Sequence, residues 1–430
     1  MTRRELIILL GSTALWPLGA EARTLRRSRT LPHSTADPPS RLVFNGGEPV
    51  EPGRLLTIAA VGDVLLHSQL QSWASQHSEG YSSLFHATRD LIGAADIAFA
   101  NLEGPAAQGV SADGRNVPAP KTLFDNNVFS GYPQFNYHPS ITGELKHGGF
   151  TVLNTANNHA LDRQQLGADR TIEAIKAANL AFTGSRHRDE MTAPWYAVTS
   201  VKIADDTFNV AWLGSAYDTN GIPDHAKQIL NCYADRDDIR GMVQDLSRRP
   251  DIHAVILTPH WGVEYENTPE AIQIAWAKEM IEAGATAIIG QHPHVVQPIV
   301  KLTTDDGRDA PVAYSLGNFV SGQVGIACRS SAILVLGLTP TPNGRLTTAA
   351  LGWIPLWMAV ADGYYAEPTA RSKSAEAKAY QNHVAQYVVA QNILAPGVPF
   401  WRFPSPDLPA WRDAARLKPG LRSTAGSKEV

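Results

Sequence analysis

Short apolar runs in this chain repeatedly end on a carboxylate, an amide or an imidazole, and that recurrence constrains the fold more than any other feature. Residues 55–61 end at Gly62 and Asp63, and residues 97–100 at Asn101 and just short of Glu103. Residues 150–153 lead into Asn154, Asn157, Asn158 and His159. Residues 254–258 run into Pro259 and His260, and residues 285–289 into Gly290, His292, Pro293 and His294. Runs this short, bounded by glycine, proline or polar residues, read as buried strands. The intervening pattern predicts helices over 138–147, 164–179 and 269–283, the last capped by Asn267 or Thr268. Strand alternating with helix argues for an α/β architecture. In such sheets ligands collect beyond the carboxyl ends of the strands.

The 430 residues are 43% hydrophobic and 18% charged, which suits a folded core rather than global disorder. Lys and Arg total 37 against 41 acids, a formal charge of −4, so the basic field of a nucleic-acid binder is lacking. Further strand-like runs at 195–203, 208–213, 312–316, 332–338 and 347–353 predict a second sheet or extensions of the first. Residues 106–137, rich in Gly, Pro and Asn, read as a long loop beside the second motif that could wall a substrate site. The domain is therefore drawn at 55–355. A solvated linker at 23–54 precedes it, and a peripheral, partly irregular extension at 356–430 follows.

The first 22 residues carry a positive start, an apolar stretch from Leu6 to Ala20 and small residues at Ala20 and Ala22, the pattern of a secretory signal. That stretch is roughly 15 residues, short of the roughly 20 that span a bilayer. Arg3 and Arg4 resemble a twin-arginine signal. The expectation is an exported protein, periplasmic or extracellular, with an uncleaved membrane anchor as the alternative. In an oxidising compartment Cys232 and Cys328 either pair or stay as free thiols, and sequence leaves both open.

Taken singly, each polar tip has a structural explanation: a turn aspartate, an Asx-turn at Asn157 and Asn158, a hydrogen-bonded histidine. Taken together they point to a metal or catalytic centre. Asp63, Glu103, Asn158, His260, His292 and His294 form a mixed oxygen and nitrogen donor set, suited to Mn, Fe or Zn rather than calcium. His292 and His294 flank Pro293, which favours an extended backbone presenting both rings to one side. Gly-x-Ser-x-Gly, Walker A and Gly-x-Gly-x-x-Gly motifs are missing, so serine-hydrolase and nucleotide-binding readings lack sequence support.

The motifs around Asp63, Glu103, Asn158 to Asp162, His260 to Tyr265, Gly290 to Val295 and Tyr314 to Phe319, in that order over residues 55–320, resemble those of the CapA family. That family is associated with poly-γ-glutamate capsule synthesis and is related to the calcineurin-like metallophosphoesterases. The resemblance implies a four-layer α-β-β-α sandwich of two mixed sheets. It places Glu103 as a bridging carboxylate, Asp63 and His294 on one divalent ion, and Asn158, His260 and His292 on another. His159 becomes a candidate general acid, oriented by Asp162. Glu264 and Tyr265 either hold a ligand or form a structural pair, and Asn318 either lines the pocket or makes a turn. The phosphoesterases carry Asp-x-His on the first strand, whereas Leu65 stands there in this chain and His67 comes two residues late. That departure implies one firm metal and one weak or absent one. The expected function is a metal-dependent hydrolase or transferase acting on an anionic or peptide-like envelope polymer, poly-γ-glutamate by resemblance. The alternatives are a non-catalytic, metal-assisted polymer binder working with membrane-associated capsule machinery, and a simple phosphoesterase.

Overall fold

A computed structural model describes residues 55–203 and 205–388 and the backbone of 401–402. The expected signal at 1–22, the linker at 23–54 and most of the tail beyond 388 lie outside the described residues.

The first half of the domain runs β1 (Leu56–Leu65), α1 (Ser68–Ser75), α2 (Arg89–Gly93), β2 (Ile97–Leu102), α3 (Ser140–His147), β3 (Val152–Asn154), α4 (Gln164–Ala177) and β4 (Ala181–Thr183). Then come β5 (Tyr196–Ile203), β6 (Asp206–Ala216), α5 (Arg236–Arg248), β7 (Ala254–His260), α6 (Ala271–Glu282) and β8 (Ala287–Ile289). The last part is β9 (Ile299–Thr303), β10 (Asp309–Ala313), β11 (Asn318–Ser321), β12 (Ser330–Pro340), β13 (Leu346–Ala359), β14 (Tyr365–Pro368) and α7 (Ala377–Val388). One sheet has the order β14-β13-β12-β1-β2-β3-β4, with β11 pairing the far end of β1; the other is β5-β6-β7-β8-β10-β9. In the first sheet β1 to β4 run parallel and β12 to β14 antiparallel. In the second β6, β7, β8 and β10 run parallel between antiparallel outer strands. The run expected to open a second sheet does so at β5 and β6, whereas β12 and β13 extend the first.

Strand periodicity explains the layering, because alternate residues face opposite sides. In β1, Leu56, Ile58 and Ala60 join the core shared with the second sheet, while Ala59 and Val61 join the core under α3 and its neighbours. Between the sheets Phe99 stacks on Trp212, ring centroids 5.5 Å apart and 3° from parallel. Behind the second sheet, Val255 and Leu257 pack with Ile239 and Val243 of α5 and with Trp276 and Met280 of α6. The order of layers is helix, sheet, sheet, helix, as the family resemblance implies.

Two local outcomes differ from expectation, and one alternative left open is decided. Helix α6 starts at Ala271, because Glu270 and Gln273 form a reciprocal capping box that outcompetes Asn267 and Thr268. The boundary drawn at residue 355 falls inside β13, and α7 beyond it sinks Val384 and Val388, both fully buried, into the core between the sheets. Cys232 and Cys328 are both free thiols, Cys232 buried among the α5 and α6 contacts.

Candidate metal centre

Two glycines let the strand ends converge. A Cβ on Gly62 would lie 1.8 Å from the carbonyl oxygen of Gly317, and one on Gly290 would lie 2.1 Å from that of Tyr314. Only glycine permits such approach of backbone to backbone. At the first crossing the Asp63 amide donates to the Gly317 carbonyl at 3.1 Å, and Asp63 stands in register with Asn318 of β11 and with Asn101 of β2. Asn101 and Glu103 lie two residues apart, so both face the side on which Asp63 emerges.

The candidates meet there. Asn101 Nδ2 donates to Asp63 Oδ1 at 2.8 Å and lies 3.2 Å from His260 Nδ1. His260 Nε2 is 2.9 Å from Asn158 Oδ1 and 3.1 Å from His292 Nδ1. His294 Nδ1 is 3.2 Å from Asp63 Oδ2 and 3.1 Å from Asn318 Oδ1. Glu103 sits at the centre, fully buried, its Oε1 3.5 Å from His260 Nε2 and 3.8 Å from His294 Nε2. Neither carboxylate oxygen of Glu103 has a hydrogen-bond partner. Leaving a buried carboxylate without partners is costly, and a cation is the group that would answer it. Ligand atoms of Glu103, His292 and His294, and of Asp63, Glu103 and His260, lie within 4.8 Å of one another. The residues thus fit a divalent ion as one continuous cluster around Glu103.

Electrostatics follow from that crowding. Burial, then the charge of Glu103, pushes the Asp63 carboxyl up. Burial acts in the same sense on Glu103, but the imidazoles of His294 and His260 outweigh it and hold that carboxyl well below its ordinary value. Burial opposes charge on His294, yet Glu103 and Asp63 raise it to about 9. His292, driven down by burial and by its histidine neighbours, stays neutral, with the ring of Tyr217 4.5 Å away.

Matching residues 57–323 to the family described as bacterial capsule synthesis protein PGA_cap covers more than half of the chain. The chain belongs to the PGA_cap family. It is 29% identical over 312 residues to the capsule biosynthesis protein CapA of Bacillus anthracis, covering 70% of this chain and 67% of that one. It is also 29% identical over 295 residues to the PGA biosynthesis protein CapA of Bacillus subtilis, covering 68% and 70% respectively. Among solved structures it is similar to the NAD nucleotidase of Haemophilus influenzae, at 12% identity and a TM-score of 0.41 over 80% of this chain and 65% of that one. The PGA_cap match contains every candidate site residue from Asp63 to Asn318.

Within this family member the remaining candidates sort by contact. His159 Nδ1 is 2.8 Å from Asp162 Oδ2, which also accepts from the Phe135 amide at 2.7 Å. Burial lowers the affinity of His159 for a proton, but Asp162 more than offsets it and the ring is raised. Phe135, from the loop expected to wall the site, sets its ring edge-on to His159 at 4.7 Å. Asn318 is buried with its amide nitrogen donating to the carbonyls of His294 and Cys328, so it anchors the His294 backbone as well as its ring. Glu264 Oε1 reaches within 4.0 Å of His294 Nε2, and Tyr265 is 54% exposed at the rim, its hydroxyl accepting from Gln323 at 3.3 Å. His67 is held instead by Leu65 and Gly322 and lies outside the ligand groups. The extended backbone expected at His292 is not found: φ is +99° there and +58° at His294. Bonds from Tyr265 to the Pro293 carbonyl and from Asn318 to that of His294 fix the bend. Sequence reasoning passed over Asn101, although its two-residue offset from Glu103 was a usable signal, and Asn220, whose Oδ1 accepts from Asn158 Nδ2 at 3.2 Å. Nothing local marks Asn220.

Proposed function

We propose that this PGA_cap protein is an exported, metal-dependent hydrolase or transferase acting on an anionic or peptide-like envelope polymer, with poly-γ-glutamate as the substrate suggested by its CapA relatives. The observation that carries this reading is the buried Glu103 carboxylate, unbonded and ringed by Asp63 and the imidazoles of His260, His292 and His294. Asp63, Glu103, Asn158, His260, His292 and His294 would hold the ion. Bound there, a divalent cation supplies Lewis-acid polarisation of a carbonyl or phosphoryl oxygen and a water of lowered pKa.

The rest belongs to the chain itself. Asp162 fixes the His159 ring through Nδ1, which commits Nε2 to proton transfer. The raised proton affinity of His159 suits it to protonate a leaving group. Phe135 holds the ring from the side and limits water around it. Glu264 and Tyr265, partly exposed at the rim, would meet the polymer.

Metal analysis and turnover on the same preparation test the proposal. The purified protein is expected to retain a divalent transition metal, and Glu103→Gln and His292→Ala to lose it together with cleavage of poly-γ-glutamate. His159→Asn is expected to keep the metal while turnover falls by about 10²–10⁴-fold. Full metal occupancy in Glu103→Gln and His292→Ala would overturn the ligand assignment. Metal-dependent polymer binding without any cleavage would overturn the catalytic part and leave an assembly role.

A further inference from the structure

At the end of β8 remote from His292 lies a cavity of about 380 Å³, lined by Arg308, Arg345, Ser247, Thr286, Asn343 and Asp309 among others. Its two guanidiniums have main-chain partners. Arg308 Nη1 donates to the Ala285 carbonyl at 2.7 Å and its other terminal nitrogen to that of Ile281, while Arg345 donates to that of Ile252. Tethering of main-chain carbonyls by arginine, in the last turn of α6 for Ile281 and in the loops before β8 and β7 for Ala285 and Ile252, accounts for these bonds. It does not account for two half-buried cations brought together, since neither forms an ion pair with a carboxylate among the described residues. Burial, then the charge of Arg308, holds the Arg345 guanidinium below its ordinary value. The acid in the cavity is already spent: Asp309 takes Lys301 Nζ at 3.0 Å and the Thr303 hydroxyl at 2.6 Å.

Two further lining groups are donors, the Ser247 hydroxyl being already given to the Gln244 carbonyl at 2.9 Å. Asn343 Oδ1 accepts from the Arg345 amide at 3.1 Å, which leaves its amide nitrogen to give. Thr286 Oγ1 accepts from the Val255 amide at 3.0 Å, so its hydroxyl hydrogen is free to point elsewhere. A guanidinium carries more N–H groups than these carbonyl bonds consume, and its forked geometry matches a planar or tetrahedral oxyanion.

We propose that the cavity between Arg308 and Arg345 is an oxyanion site, taking a carboxylate or phosphate group and separate from the metal centre. It stands on geometry of its own and does not depend on the proposed reaction.

Thermal unfolding of the full chain tests it, with inorganic phosphate and, separately, glutarate titrated against chloride at matched ionic strength. Phosphate also stabilises proteins by exclusion from their surfaces, so the readout is the difference between variants, each against its own anion-free Tm. The wild type and Glu103→Ala are expected to share one titration midpoint, because the metal centre is not involved. Arg345→Gln is expected to shift that midpoint upward on the order of ten-fold, the loss of one charge-assisted contact. Arg308→Lys, which keeps the charge and loses the fork, is expected to shift it in the same direction. A response to either probe that depends on these arginines supports the site and tells which oxyanion it takes. Coincident titrations in wild type, Arg345→Gln and Arg308→Lys would overturn it, as would a midpoint that moves with Glu103→Ala instead.

Discussion

Gly62 is a position with no room for a side chain, since even a methyl group would occupy the place of the Gly317 carbonyl. Gly62→Ala is therefore expected to destabilise the protein by about 3 kcal/mol or more, measured as a lowered urea midpoint; an unchanged midpoint would mean that β1 and β11 can part freely. His294 supplies a second test at this scale. Raised to about 9 by Glu103 and Asp63, it is protonated at pH 7, so an ion that takes its lone pair must expel that proton. Metal affinity is expected to rise with pH up to about 9, and calorimetry in buffers of different ionisation enthalpy should register proton release. Heats that do not depend on the buffer would refute it. The ligands were legible in the sequence because each ends an apolar run, a signal that burial of the strand forces on the chain. The bend at His292 and His294 was not, because it is set by bonds to Tyr265 and Asn318, and no local residue dictates those.

Elements show the same division between local and distant causes. Helix α5 places Ile239, Val243 and Leu246 on its buried face, a spacing of four and three that marks an amphipathic helix, so the signal for it was present. Strand β14 and helix α7 are harder to foresee, since their place is decided by tertiary contacts, the flank of β13 just before them and the core between the sheets. That flank yields a prediction. A chain ending at residue 355 would cut β13 and withdraw Val384 and Val388 from the core, and is expected to be insoluble or to lose cooperative unfolding. Val384→Ala in the full chain is expected to cost about 1–3 kcal/mol by chemical denaturation. A value near zero would show that α7 is dispensable.

Across the whole molecule, the centre draws on both sheets: Asp63 lies on and Glu103 and Asn158 follow strands of the first, while His260 ends and His292 follows strands of the second. An ion held by all of them ties the layers together and adds its binding energy to folding. Chelation is expected to lower Tm by roughly 5 °C or more, since occupancy at a hundredfold excess over Kd contributes about 2.7 kcal/mol. Scanning calorimetry with and without chelator reads this directly, and identical curves would argue against ligands from both sheets. An α/β architecture could be inferred from alternating strand and helix, and the four layers from the family resemblance, but the meeting of two sheets at one point is a property of tertiary packing that no single segment carries.

Strand β1 changes partners along its length, bonding β12 from Leu56 to Ala60 and β11 from Asp63 to Leu65. The first sheet consequently splits like a fork in a road, with Asp63 at the junction and residues 322–329 bridging the two branches from outside. Both branches are pinned independently, but Gln323 and the Cys328 carbonyl also hold Asn318, so it is the exposed tip of the bridge around Val324 that can be exchanged while the carboxylate keeps its post. It is the natural place to graft new specificity onto this scaffold.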